Sequence, residues 1–91
     1  MYLLSKNKQY LVEMGTLYIK RDKITKKESG LFSSGYVDVT RYIIYAEGKK
    51  GLGDSEVPVY IMDVYRYEEE AAKKMEAVAD ALARGEAIYK F

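Results

Sequence analysis

Apolar and polar positions change period along this chain. Up to Ala46 the apolar residues come as short runs and as alternations of period two, the mark of strands with one face turned inward. From Glu68 to Arg84 they recur at helical spacing, and beyond Gly85 a short apolar run returns. The helical stretch contains neither Gly nor Pro and is rich in Ala, Glu and Lys, all strong helix formers. Ala71, Met75, Val78 and Leu82 fall on one stripe, with Ala72, Ala79 and Ala83 beside it and Lys73, Glu76, Asp80 and Arg84 opposite. The pattern predicts a helix over 68–84 whose alanine-flanked side lies close against a sheet.

The ends of this helix are written locally. Glu68, Glu69 and Glu70 meet the positive end of the helix dipole, and Gly85 supplies a left-handed stop. Tyr67 falls at the N-cap, where it is a poor substitute for Ser, Thr, Asp or Asn. Glu69–Lys73, Glu70–Lys74 and Asp80–Arg84 have the favourable i,i+4 order, worth about 0.2–0.5 kcal/mol each.

The rest reads as sheet. Met1–Leu4 and Gln9–Val12 flank the polar Ser5–Lys8, a hairpin pattern. Leu17 and Ile19 begin a third strand ending near Asp22. Lys23–Ser34 is polar and lysine-rich and predicts a flexible hairpin loop, with Leu31 and Phe32 as its anchor. Tyr36–Ala46 is the longest β-prone run. The apolar pair Ile43–Ile44 breaks its parity, which a β-bulge would reset. Gly48–Ser55 predicts an exposed loop. Val57, Val59 and Ile61 then alternate with Pro58, Tyr60 and Met62, and Pro58 places the start of that strand at an edge. Ala87–Phe91 forms a final strand with Phe91 tucked into the core. The expected fold is α+β: a strongly bent antiparallel sheet of five or six strands with one C-terminal helix packed across it, in a single domain, 1–91.

Ninety-one residues support one modest core. There is no His and no Cys, which removes imidazole bases, thiolate nucleophiles and the usual zinc and haem ligands. Gly48–Ser55 resembles a phosphate loop only superficially, because its lysines come early and it leads into a strand. Glu68–Glu70 are consecutive on a helix and point apart, so they do not converge on a cation. The expectation is a non-enzymatic protein without a cofactor, metal or catalytic set. With no spanning segment and no signal peptide, it is expected in the cytoplasm and not at a membrane.

Charge and tyrosine content indicate where a partner would dock. Residues 1–50 carry ten Lys or Arg against five Asp or Glu, and residues 51–91 carry five against nine. Ten tyrosines and no tryptophan suit half-buried sheet faces and protein interfaces alike. The candidate interaction surface comprises Lys20, Arg21, Lys23, Lys26, Lys27, Tyr36, Arg41, Tyr42 and Tyr60. Another protein is the expected partner. Nucleic acid is the alternative, through the phosphate-seeking run Lys20–Lys27 and Arg41, and a homodimer is also compatible. Asp63, inside an apolar strand, is expected to face outward beside Arg41 or Arg66.

Met62-Asp63-Val64-Tyr65-Arg66-Tyr67-Glu68-Glu69-Glu70-Ala71 and the tail Gly85-Glu86-Ala87-Ile88-Tyr89 resemble a group of small uncharacterised proteins of Gram-positive bacteria and their phages. The tails of that group read roughly Leu-Gly-x-Tyr-x-Thr-Glu-Glu-x-Ala, a helix, then Gly-Glu-x-Val-Tyr. Met1–Ser5, Tyr10–Val12 and Leu17–Ile19 are similar too. The chain departs from the pattern at Asp63, where the group has Gly, and at Tyr67, where it has a capping Thr. The resemblance implies a sheet with a helix across it, broadly like a pleckstrin-homology barrel, and a phage or prophage origin. It adds one functional expectation, a phage-encoded inhibitor of a bacterial defence nuclease of the anti-CRISPR type.

Overall fold

A computed structural model of the chain describes residues 1–29, 34–48 and 57–91. Its elements are β1 (Tyr2–Leu4), β2 (Leu11–Glu13), β3 (Leu17–Ser29), β4 (Ser34–Glu47), β5 (Val59–Tyr65), α1 (Glu68–Ala83) and β6 (Ile88–Lys90). The fold is α+β. The six strands form two three-stranded sheets, in the orders β2-β1-β6 and β3-β4-β5, in place of the expected single bent sheet. β6 also runs parallel to β1, with Leu3 level with Tyr89, so the arrangement is not wholly antiparallel. The helix supplies the crossover that a parallel pair needs, carrying the chain back before β6 joins the edge of β1.

The first hairpin forms as its pattern requires, with Leu3 opposite Val12. Its turn is held by the buried Ser5, whose hydroxyl donates to Asn7 Oδ1 at 2.6 Å and accepts from the Tyr10 amide at 3.1 Å. Glycine at position 15, between β2 and β3, has a steric cause. A Cβ there would lie 2.7 Å from the Glu47 carbonyl oxygen, at the point where the Glu47 amide donates to Thr16.

β3 and β4 are far longer than their apolar stretches. Lys23–Ser29, expected in a loop, continues the ladder, with Ile24 opposite Val39, Thr25 opposite Asp38 and Ser29 opposite Ser34. The charged alternation is a strand pattern here because, from Lys23 to Lys26 and across to 37–40, residues on both faces are exposed or half-exposed, so neither face demands apolar residues. The Leu31–Phe32 anchor and the glycine-rich segment from Lys49 lie outside the described residues. β5 pairs with β4 only between Tyr42 and Glu47, so among the described residues the ladder beyond Asp22–Arg41 has no third strand. This two-stranded arm is roughly 25 Å long at the usual strand rise. It explains a radius of gyration of 16.3 Å, where a compact chain of this length would have roughly 12 Å.

The core lies between the β3-β4-β5 sheet, the helix and the smaller sheet. Leu3, Ile44, Ala46, Met62, Ala71, Val78 and Phe91 form it, bordered by Leu17, Ile19, Tyr42, Tyr60, Met75 and Tyr89. Tyr89 packs edge-on against Phe91, so the final strand and its aromatic occupy the expected place. A bulge does interrupt the β4–β5 ladder beside Ile44. The extra residue is Met62 of β5, since Ile44 pairs with Asp63 and Tyr45 with Ile61. The Ile43–Ile44 pair has a different cause. Ile44 faces the helix and Ile43 the opposite side, and both are buried.

On α1 the buried residues are Ala71, Val78 and Ala81, with Met75 half-buried beside them. Leu82, expected on the seam, is 48% exposed. The buried sector is rotated toward Ala81, whose small side chain permits close approach. Tyr67 makes no side-chain cap, in keeping with its residue type. At the other end, the Gly85 amide donates to Leu82 and the Glu86 amide to Ala81, a Schellman closure with Gly85 at φ +72°. Arg84 pairs with Glu86 at 3.2 Å, where an Asp80 partner was expected. Gly85→Ala is expected to cost about 1 kcal/mol by forcing a Cβ into left-handed backbone, read as a lower urea midpoint with an unchanged slope.

Candidate interaction face

Alternation sorts the β3-β4-β5 sheet into two faces. Leu17, Ile19, Ile44, Ala46 and Tyr42 point to the core. The other face therefore carries Tyr18, Lys20, Asp22, Ile24 and Lys26 from β3, and Val37, Val39, Arg41, Ile43 and Tyr45 from β4. From β5 it takes Val59, Ile61 and Val64. No described element packs across it. Ile43 is nonetheless buried, because it sits in the central strand between its register neighbours Lys20 and Val64. Around it Val59, Ile61 and Val64 are 48%, 45% and 39% exposed. β5 thus turns its β-branched residues outward and gives the core Tyr60 and Met62. Tyr18 and Tyr45 stack on each other, with centroids 5.6 Å apart and 23° between planes.

At the arm end of this face Lys26, Val39, Arg41, Val64, Tyr65 and Arg66 line a hollow of about 400 Å³. Arg41 Nε is buried there and has no hydrogen-bond partner. Arg66, on the connection into α1, is held with its guanidinium carbon 5.6 Å from the Tyr67 ring centroid. These cations converge from β3, β4 and the β5–α1 junction. Of the carboxylates in register on the face, Asp22 is opposite Arg41 on the arm and Glu47 lies at the far end beside Val59.

The nine candidate residues do not form one surface. Lys20, Lys26 and Arg41 share the outer face. Arg21 and Lys23 lie on the reverse side of the arm, where Tyr36, opposite Lys27, is 75% exposed. Tyr42 and Tyr60 are partly buried on the core side. Both border the core, Tyr60 tilted against Tyr10 with centroids 5.2 Å apart, because strand parity gives them the helix-facing side. Ile61, Val64 and Arg66, which lie on or beside this face, are not among the nine. The β-branched series of β5 was legible, but which side it faced depended on the rest of the sheet.

Asp63 does not face an arginine. It is half-buried at the bulge, level with Ile44, and its carboxylate accepts from the Val64 amide at 2.8 Å. The Tyr65 hydroxyl close by is buried and meets no acceptor at hydrogen-bonding geometry. Burial pushes its pKa well up, and the Asp63 carboxylate adds to the rise, with smaller contributions from Tyr89 and Glu70. The folded protein therefore keeps this proton where the unfolded chain releases it, above about pH 10. Stability then falls as pH rises through this range, by at most one proton's worth and less where solvent screens the site. Tyr65→Phe should leave stability near neutral pH within about 1 kcal/mol of the parent, since it removes an unpaired hydroxyl. It should also flatten the alkaline decline by one proton. Urea unfolding between about pH 8 and about pH 11 measures both, and an unchanged alkaline slope would show that Tyr65 is not the group responsible.

Among the described residues no three His, Cys, Asp or Glu converge as a metal site, and no helix is long and apolar enough to cross a membrane. No protein-family model matches the chain, and neither a curated protein nor a solved structure does.

Proposed function

We propose that this chain is a non-enzymatic protein-binding module that docks its partner on the outer face of β3-β4-β5. The supporting observation is the set of exposed Val59, Ile61 and Val64 around buried Ile43, an apolar sheet face without a covering layer among the described residues. Contiguous apolar patches on small proteins mark interaction sites. A photo-cross-linking residue at position 61 should trap a macromolecular partner in cells, whereas the same residue at Glu76, exposed on α1, should not. Adducts at neither position, or equally at both, would remove this reading. The phage-like tail motif adds the expectation that such a partner is a bacterial host protein.

A second reading, a nucleic-acid-binding accessory protein, draws support from the arm. It is a two-stranded ribbon with Arg21 and Lys23 on one side and Lys20 and Lys26 on the other, and a DNA major groove admits a two-stranded ribbon. Failure to retard DNA or RNA at low salt would eliminate it.

A further inference from the structure

We infer that the partner's contact segment carries a carboxylate side chain flanked by apolar residues, and that the carboxylate enters the hollow between Lys26, Arg41 and Arg66. This rests on the outer face being the docking surface, and it specifies the chemistry of what docks.

Three observations converge. The first is Arg41 Nε, a charged donor buried without an acceptor. Buried donors are normally satisfied, and a charged one left unpaired is costly to the fold. Nε itself is covered, but the half-buried Arg41 side chain lines the hollow, so a carboxylate arriving there would meet the guanidinium and offset its desolvation. The second is the grouping of Lys26, Arg41 and Arg66 around one hollow of about 400 Å³. Like charges held together repel, and an anion between them relieves that repulsion. A guanidinium presents paired N–H groups to a carboxylate, and the Tyr67 ring contact holds one such fork in place. The third is the wall chemistry. Val39 and Val64 line the hollow, and the apolar surface continues along β5 to Ile61 and Val59. An acidic side chain set among aliphatic ones is complementary to both parts.

The alternatives fit less well. A second copy docked through the same hollow would set this cationic cluster against itself. Single-stranded nucleic acid would bring phosphates, but its bases need open aromatic faces. Tyr18 and Tyr45, the tyrosines of this face, stack on one another, and Tyr65, the aromatic in the wall of the hollow, packs against the core.

The test is a 1H–15N NMR titration of the full chain with capped pentapeptides, Val-Glu-Val-Glu-Val and its charge-reversed counterpart Val-Lys-Val-Lys-Val. Oligo-dT and inorganic phosphate serve as the other arms. The glutamate peptide should shift the amides of Val39, Arg41, Val64 and Arg66 and the Arg41 Nε–H signal, and should saturate. The lysine peptide and oligo-dT should leave them in place, and phosphate should act weakly, lacking the apolar contacts. Arg41→Met and Arg66→Gln should each weaken the glutamate peptide by about tenfold or more, the loss of a charge-assisted hydrogen bond. Arg41→Met should also melt at or above the parent's temperature, which a residue serving the fold would not do. Equal shifts from both peptides, a preference for oligo-dT, or unweakened binding by an Arg41→Met variant that melts lower would overturn the inference. Cross-linking at position 61 together with silence toward the glutamate peptide would discard the carboxylate alone and leave the docking face standing.

Discussion

Ile44→Ala is expected to destabilise the protein by about 3 kcal/mol, within the 2–5 kcal/mol span of buried aliphatic truncations. Ile44 is fully buried in the central strand of the larger sheet and belongs to the cluster that includes Ala71 and Val78 of the helix. Deleting its outer carbons removes contact with the core and leaves a cavity that a hydrogen-bonded central strand cannot close. For a chain of this length such a loss is a large part of the whole, since small domains hold only about 5–15 kcal/mol. The melting temperature should drop by roughly 12–24 °C. Urea unfolding should show a lower midpoint with the slope preserved, and a change below about 1 kcal/mol would mean that the helix does not rest on this strand.

Leu3→Ala should be of similar size, about 3 kcal/mol, with a different signature. Leu3 is the fully buried residue of β1, central in the smaller sheet between Val12 of β2 and Tyr89 of β6. All three strands of that sheet are three residues long. So short a sheet cannot stand on its own backbone hydrogen bonds and depends on its contact with the core. Its amides should therefore lose protection before those of β4. The bonds from Tyr2 to Ala87 and from Phe91 to Leu4 are the ones to follow by hydrogen exchange. If protection falls equally in both sheets, they open as one unit and the smaller one has no separate dependence on Leu3.

The two isoleucines of β4 show how far reading along the chain reaches. Their adjacency signalled something unusual, and a bulge was a reasonable cause. A bulge is there, but it belongs to Met62 on the neighbouring strand, and the adjacency itself reflects one residue buried on each side of the central strand. The lysine-rich segment after Asp22 misled for a related reason. Charge alternation without apolar residues is the same in a loop and in a ribbon solvated on both faces. Only the cross-strand partners Thr40, Val39, Asp38 and Val37 distinguish the two. The candidate site was partly legible. Lys20, Lys26 and Arg41 stand out by charge and share the outer face, whereas the side taken by Tyr42 and Tyr60, which border the core, is set by strand parity across the sheet.

What the amino-acid order settled here is what short-range forces control. The acidic first turn, the uncapped Tyr67, the Gly85 stop, the Ser5–Lys8 turn and the inward Phe91 each depend on a few neighbouring residues, or on one large apolar side chain avoiding water. Tertiary structure decided the division into two sheets, the parallel return of β6, the exposure of Leu82 and the meeting of Lys26, Arg41 and Arg66. Those outcomes turn on which face of a strand or helix finds a covering surface from distant parts of the chain. Local propensity and periodicity show that a face is apolar, and its packing partner determines whether that face is buried.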